Sequence, residues 1–142
     1  IGAFRSADGL QWWRQGEGEV RQDGTQGLRS REAAYRLRAG SAPVAVLIGA
    51  RTASSGEAVA LAFRGQAGSR SFGQPSAGFS TGNRPTKLVD GTTLLLTLNV
   101  MADRNGQGDG ARLQPDQSTA SGPDALAAAQ AWLLAQPACK GG

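Results

Sequence analysis

The pattern of apolar residues changes near residue 50 from one typical of a strand to one typical of a helix. The apolar run Val44 to Ile48, introduced by Pro43, predicts a strand covered on both faces, as in a parallel sheet. An alanine-rich segment then predicts a buried helix from Ser54 to about Arg64, ended by Gly65 and Gly68. The apolar positions of this helix are Val59, Leu61, Ala62 and Phe63.

The flanking segments predict further strands, a hairpin turn at Asp90-Gly91 and a second helix. In chain order, these elements are alternating strands within residues 1–14 and 17–22, a short helix over 29–37, a strand over 70–72, a loop over 73–84, hairpin strands over 86–89 and 92–102, a loop over 103–121 and a helix over 123–136. The last helix has Leu126, Ala129, Trp132 and Leu133 on one face. This order predicts an α/β fold, with a mixed sheet and flanking helices.

Length and charge limit the domain count and the classes of partner. The 142 residues fit a single domain, with a strand-rich opening segment at 1–42, a core at 43–136 and a polar tail at 137–142. No stretch approaches about 18 consecutive apolar residues, so we expect no membrane insertion by this segment. The net charge of +4 rests on scattered arginines without interleaved aromatic residues, so we expect no nucleic acid partner.

The residues available for chemistry are few. The chain has no histidine and a single cysteine, Cys139, which excludes an intramolecular disulfide and makes a zinc site improbable. We therefore expect no metal and no cofactor. The absence of histidine also means that no Ser-His pair can form within these residues.

One motif, Thr52-Ala-Ser-Ser-Gly-Glu57, stands where the predicted strand gives way to the helix. A serine at such a turn can present its hydroxyl beside the backbone N–H groups of the first helical turn, which could stabilise an oxyanion. The alternative is structural, because Ser54 and Glu57 have the S-x-x-E spacing of a capping box. Ser55 competes with Ser54 for the role of nucleophile, since adjacent serines leave an ambiguity of one residue.

Several motifs in one order resemble the catalytic core of the tail-specific, or carboxy-terminal processing, serine peptidases and their tricorn-like relatives. They are Pro43-Val-Ala-Val-Leu-Ile48, Thr52-Ala-Ser-Ser-Gly-Glu57, Ser71-Phe-Gly-Gln-Pro-Ser-Ala-Gly78, Asp90-Gly-Thr-Thr-Leu94 and Gln114-Pro-Asp116. The resemblance covers about residues 43–116 and implies a fragment of a core similar to the ClpP and crotonase folds.

The resemblance implies roles for particular residues. Ser54 matches the nucleophile, and the Ser55 backbone N–H would contribute to the oxyanion hole. Phe79 stands where the processing peptidases have their lysine base, and a phenyl ring cannot accept a proton. Gly78 and Phe79 would instead contact the substrate, although burial of Phe79 in the core is an equal alternative.

The general base is therefore expected from an upstream segment, as in the tricorn-like relatives, which use a histidine from an earlier part of the polypeptide. Asn83, placed in a loop flanking the nucleophile, could orient that base. Lys87 is the nearby lysine, but it falls on a predicted hairpin strand. Asp103 and Asp109 are weaker candidates, since an aspartate in a loop is usually a turn former.

The sequence thus predicts the carboxy-terminal part of an exported serine peptidase, located in the periplasm or cell envelope and acting on peptide or protein substrates. The isolated chain is expected to be inactive. The first alternative is a non-catalytic, peptide-binding descendant of the same fold, which Phe79 at the lysine position favours. The second is an assembly module, and a homo-oligomer is compatible with the exposed sheet edges that a fragment would have.

Overall fold

The computed structural model describes residues 2–16, 19–22, 28–29 and 42–139. Within them, the elements in chain order are β1 Gly2–Ser6, β2 Gly9–Gly16, β3 Glu19–Gln22, β4 Leu28–Arg29, β5 Val44–Ile48, α1 Ser55–Phe63, β6 Ser69–Gly73, β7 Thr81–Lys87, β8 Thr93–Ala102, β9 Gln117–Ser118, α2 Gly122–Ala135 and a 3-10 turn, Pro137–Cys139. The combination of strands and two helices confirms the predicted α/β class.

The strands form two sheets rather than one mixed sheet. An antiparallel sheet has the order β4-β3-β2-β1-β8-β7, and a parallel sheet has the order β5-β6-β9. Helix α1 provides the crossover between β5 and β6, because parallel neighbours cannot be joined by a tight turn. Every residue of β5 pairs with β6, from Val44 opposite Ser69 to Ile48 opposite Gly73.

The parallel sheet contributes to two hydrophobic clusters. One cluster contains Ile48, Leu61, Met101 and Leu113 and joins α1 to β8. The other contains Phe72, Ala125 and Ala129, with Trp132 against the Phe72 ring at a centroid distance of 5.8 Å. Successive residues of β5 enter different clusters, Val46 the first and Ala45 the second, as the alternation of side chains along a strand requires.

Both helices are less buried than their sequences predict. Val59 of α1 is 59% exposed and Leu126 of α2 is 49% exposed, whereas the buried residues are Glu57 and Leu61 in α1 and Ala125 and Ala129 in α2. A helix that lies on a sheet buries only one stripe of its surface. Val59 is therefore exposed on a helix that was predicted to be buried, and Leu126 is exposed although it belongs to the predicted apolar face of α2.

The hairpin turn at Asp90-Gly91 is confirmed, but its first strand begins earlier than predicted. Strand β7 already starts at Thr81, so the predicted loop ends at Ser80. β7 accommodates Pro85 because it lies at the edge of the antiparallel sheet. In the turn, hydrogen bonds from the Thr92 backbone N–H and then from its hydroxyl lower the pKa of Asp90.

Two other predictions concern a short helix near the start of the chain and membrane insertion. The short helix predicted over 29–37 lies outside the described residues, apart from Arg29 in β4. Among the described helices, none is long and apolar enough to cross a membrane.

Candidate active site

The site begins at the end of β5, where a tight turn redirects the chain into α1. The Thr52 N–H donates to the Gly49 carbonyl at 2.8 Å, and the Gly49 N–H donates to Thr52 Oγ1 at 3.0 Å. These reciprocal bonds fix the turn. Ser54 follows it and immediately precedes the first helical residue, Ser55.

Ser54 has a backbone conformation that a helix cap does not need. Its φ of 50° and ψ of −114° make it the one non-glycine residue with positive φ in the described part of the chain. Helix caps normally have extended backbone. Ser121, which caps α2, is extended at φ −144° and ψ 170°, and its hydroxyl accepts from the Asp124 N–H. Strained residues of this kind are concentrated at functional sites.

The predicted capping box is present, with both of its arms in place. The Ser54 N–H donates to Glu57 Oε2 at 2.9 Å. The Ser54 side chain also faces the Glu57 backbone N–H, but this contact lacks the geometry of a hydrogen bond. Ser54 and Glu57 thus contact each other as the capping box predicts, although no strict cap hydrogen bond holds the serine hydroxyl.

Glu57 does more than cap the helix. Its side chain is fully buried, and its carboxylate receives hydrogen bonds from the loop between β6 and β7. The Gly78 N–H donates to Oε1 at 2.9 Å, the Phe79 N–H donates to Oε2 at 2.8 Å, and the Ser76 hydroxyl donates to Oε1. A single carboxylate therefore holds the Ser54 turn and this loop together.

Ser55, the predicted oxyanion donor, lies at the N-terminus of α1. It is exposed and is the first residue of α1, where the N–H groups have no acceptor within the helix. No hydrogen bond from the Ser55 N–H occurs within the described residues. The positive end of the helix dipole adds to the attraction for a negative oxygen at this position.

Gly78 and Phe79 lie beside the Ser54 turn. Phe79 and Ser54 donate their N–H groups to the same oxygen, Glu57 Oε2, so their backbones are neighbours. Phe79 is 64% exposed, which excludes the alternative that it is a core residue. Gly78 has φ +91°, in the region that favours glycine.

The candidates for a base or an orienting group lie elsewhere. Asn83 belongs to strand β7, not to a loop, and its Oδ1 accepts from the Thr97 hydroxyl at 2.7 Å. The loop placement of Asn83 was therefore wrong. Lys87 ends the same strand, about 20 Å along β7 from Thr81 at about 3.3 Å per residue. Phe79, which lies beside the Ser54 turn, is only two residues before Thr81, so the length of β7 separates Lys87 from Ser54 and argues against Lys87 as the base.

Asp103 and Asp109 are turn formers. The buried Asp103 carboxylate accepts from the N–H groups of Asn105 and Gln107, and Asp109 Oδ1 accepts from the Ala111 N–H. Within the described residues, no group of His, Cys, Asp or Glu side chains could hold a metal ion.

Sequence reasoning missed two buried serines, Ser76 and Ser80. Ser76 Oγ accepts from the Leu113 N–H at 2.8 Å, and Ser80 Oγ donates to the Ala111 carbonyl at 2.8 Å. Both serines thus hold the segment 111–113 against the loop that binds Glu57. Serines in a Gly-, Ser- and Pro-rich loop carry no sequence signal for such distant partners.

Comparison with known proteins gives matches for most of the chain. A model of peptidase family S41 matches residues 6–119. The nisin-resistance protein of Lactococcus lactis subsp. lactis is 44% identical over 63 residues, which are 44% of this chain and 20% of that protein. A lipoprotein structure from Streptococcus agalactiae has a TM-score of 0.56 and 36% identity, covering 68% of this chain and 33% of that chain. The matched regions thus span a fifth to a third of these relatives.

Proposed function

We propose that this chain, which belongs to peptidase family S41, forms part of a peptidase catalytic core with Ser54 as the nucleophile. The family resemblance predicted from the sequence is confirmed, and S41 is a family of serine peptidases. The observation that carries the assignment is the φ of 50° at Ser54, at a strand-to-helix turn and in a conformation that capping does not require. Ser55, with ordinary helical surroundings, is the weaker candidate.

The proposed reaction is acyl transfer from a peptide bond to Ser54. The hydroxyl oxygen of Ser54 bonds to the peptide carbonyl carbon while a base removes its proton. The Ser55 N–H stabilises the resulting oxyanion from the N-terminus of α1. The C–N bond then breaks, the amine leaves with a proton, and water hydrolyses the ester to release the acid and restore the serine.

The base is proposed to come from residues outside this chain. A histidine is the base that the tricorn-like relatives suggest, and the 142 residues contain none. Phe79 occupies the place of the lysine base, and Lys87 is remote along β7. In this proposal Asn83 has no assigned contact with the base, because its amide oxygen is engaged by Thr97.

Phe79 is proposed to contact a substrate side chain. It is exposed, and its backbone shares a hydrogen-bond acceptor with the Ser54 turn. Burial of an apolar substrate residue against an exposed ring is favourable at about 25 cal/mol per Å². The site would therefore accept an apolar residue next to the bond that is cleaved.

A non-catalytic peptide-binding protein is the second candidate function, and Phe79 at the lysine position favours it. A fluorophosphonate probe separates the two, because only an activated serine reacts readily. We expect the full-length protein to be labelled at Ser54, with labelling lost in Ser54→Ala and kept in Ser55→Ala. Labelling that survives Ser54→Ala would exclude Ser54 as the nucleophile, and no labelling of the wild type would favour the binding protein.

Location and assembly are also proposals. One relative is a lipoprotein, which supports a place in the cell envelope for the full-length protein. Homo-oligomer formation is compatible with the exposed leucines of β8, and sedimentation of the full-length protein at several concentrations tests it. A monomer at every concentration would exclude the homo-oligomer.

A further inference from the structure

Three arginines line one open polar pocket, between the loop at 106–109 and the segment 112–114. They are Arg5, Arg64 and Arg112. The one carboxylate in the lining, that of Asp109, already accepts from the Ala111 N–H at 2.9 Å. Within the described residues, none of these arginines forms an ion pair with a carboxylate, but Arg5 and Arg64 donate from Nη2 to the backbone carbonyls of Gly106 and Gln114. The pocket therefore has an excess of positive charge that an anionic ligand would offset.

The fold holds the central arginine in a defined place. Arg112 lies between Ala111, whose carbonyl accepts from the Ser80 hydroxyl, and Leu113, whose N–H donates to Ser76 Oγ. Both serines are buried. The Leu113 carbonyl also accepts from the Ser76 N–H at 3.0 Å. The backbone on either side of Arg112 is thus anchored, while its side chain remains exposed.

This pocket adjoins the Ser54 site. A Cβ at Gly78 would lie 2.9 Å from Arg112 Cγ, so the arginine stem packs directly over Gly78. The Gly78 N–H and the Ser54 N–H both donate to the Glu57 carboxylate, each at 2.9 Å. Gly78 and the Glu57 carboxylate are thus the two groups that connect Arg112 to the Ser54 turn.

We propose that Arg112, with Arg5 and Arg64, binds a carboxylate group of the peptide whose backbone is attacked by Ser54. A guanidinium matches a carboxylate through paired, charge-assisted hydrogen bonds. Ser54 precedes α1 and Arg64 follows it, so about ten helical steps of about 1.5 Å separate them by about 15 Å. An extended peptide advances about 3.3 Å per residue, so a carboxylate near Arg64 would lie about four or five residues from the cleaved bond. Its source is either the carboxy terminus of the peptide or an acidic side chain. This inference rests on the proposed peptidase function.

The test measures binding separately from turnover. The full-length protein with Ser54→Ala is titrated against three fluorescein-labelled octapeptides of Ala, Val and Leu, and binding is followed by fluorescence anisotropy. The first peptide has a free carboxy terminus, the second has a terminal amide, and the third has the amide and one internal Glu. We expect at least one acidic peptide to bind about tenfold more tightly than the plain amide, as one charge-assisted hydrogen bond would provide.

Arg112→Gln should remove this preference, and Arg5→Gln should reduce it as a second variant if the first fails to fold. Arg84→Gln, an exposed arginine of β7, is the matched control and should keep the preference. Preference for the free acid identifies the terminal carboxylate, and preference for the Glu peptide identifies a side chain. Equal binding of all three peptides, no binding, or an unchanged preference in Arg112→Gln would overturn the proposal.

Fluorophosphonate labelling keeps the two proposals distinguishable. The wild-type protein and the control Arg84→Gln, both with Ser54 intact, should be labelled alike. Loss of labelling in the wild type would contradict the peptidase function itself. If the wild type is labelled normally but all three peptides bind equally well, the carboxylate pocket is contradicted and the peptidase function is not.

Discussion

Ser54 combines the sequence of a helix cap with a backbone conformation that costs free energy. Its positive φ is strained for a residue with a Cβ, by about 1–3 kcal/mol. Ser121 performs a similar capping role for α2 without this strain, since its backbone is extended. Ser121 therefore shows the backbone conformation that capping alone requires.

Replacement of Ser54 by glycine should stabilise the protein while it abolishes reaction with fluorophosphonate. Glycine adopts positive φ without strain, so we expect the free energy of unfolding in urea to rise by about 1 kcal/mol. Ser121→Gly is the matched control and should lower it by a few tenths, because only a cap is lost. A loss of stability in Ser54→Gly equal to that in Ser121→Gly would contradict a strained nucleophile.

The sequence predicted the contact between Ser54 and Glu57 because it is local, with a spacing of three residues. It could not predict the bonds from Glu57 to Ser76, Gly78 and Phe79, which join residues about twenty positions apart. Local spacing specifies a capping box, whereas the approach of a distant loop depends on how β6 packs beside β5. The hydrogen bonds between Glu57 and this loop can therefore be identified only in the folded structure.

At the scale of elements, β5 and β6 approach so closely at their ends that one residue must be glycine. Gly73 has φ +130°, and a Cβ there would lie 1.9 Å from the Ile48 carbonyl oxygen. That same oxygen accepts from the Gln74 N–H at 3.1 Å, which directs the chain into the loop bound by Glu57. A change at Gly73 should consequently displace the candidate site as well as the sheet.

Gly73→Ala should lower the free energy of unfolding by more than about 3 kcal/mol and abolish fluorophosphonate labelling, because backbone atoms must separate. Gly91→Ala provides the control, since Gly91 also has positive φ but nothing lies within 4 Å of the added Cβ. There we expect a loss of about 1 kcal/mol and normal labelling. Urea unfolding gives the free energy of unfolding of both variants, and fluorophosphonate labelling gives the reactivity of Ser54. Equal losses of unfolding free energy in the two variants would contradict the steric argument.

Elements with a strong local signal were predicted well. The apolar run of β5, the turn at Asp90-Gly91 and the helix after Ser121 are encoded in adjacent residues. The start of β7 was missed because Asn83 and Pro85 are unfavourable in a strand, and only pairing with β8 at a sheet edge makes them acceptable. Burial in the helices was overestimated at Val59 and Leu126, since apolar spacing does not reveal how much of a helix the sheet covers.

At the scale of the whole molecule, the described residues bring Ser54, Ser55 and the loop at Phe79 together around one carboxylate, that of Glu57, which is buried and already accepts hydrogen bonds from backbone N–H groups and the Ser76 hydroxyl. Ser54, Ser55 and Phe79 are gathered by the turn after β5 and by the Glu57 carboxylate. Histidine is absent from the sequence, and the lysine at position 87 lies far along a hairpin. In the proposed peptidase, deprotonation of Ser54 would therefore depend on residues other than these.

The isolated chain of 142 residues should consequently show no peptidase turnover, whereas the full-length protein should hydrolyse the same fluorogenic peptide. A serine hydroxyl without a positioned base loses the general-base contribution of about 10²–10⁴ in rate, along with any substrate contacts made elsewhere. Circular dichroism of the isolated chain ensures that inactivity is not a failure to fold, and Ser54→Ala of the full-length protein is the zero control. Turnover by the isolated chain that Ser54→Ala removes would show that the base lies within these residues, with Lys87 as a candidate.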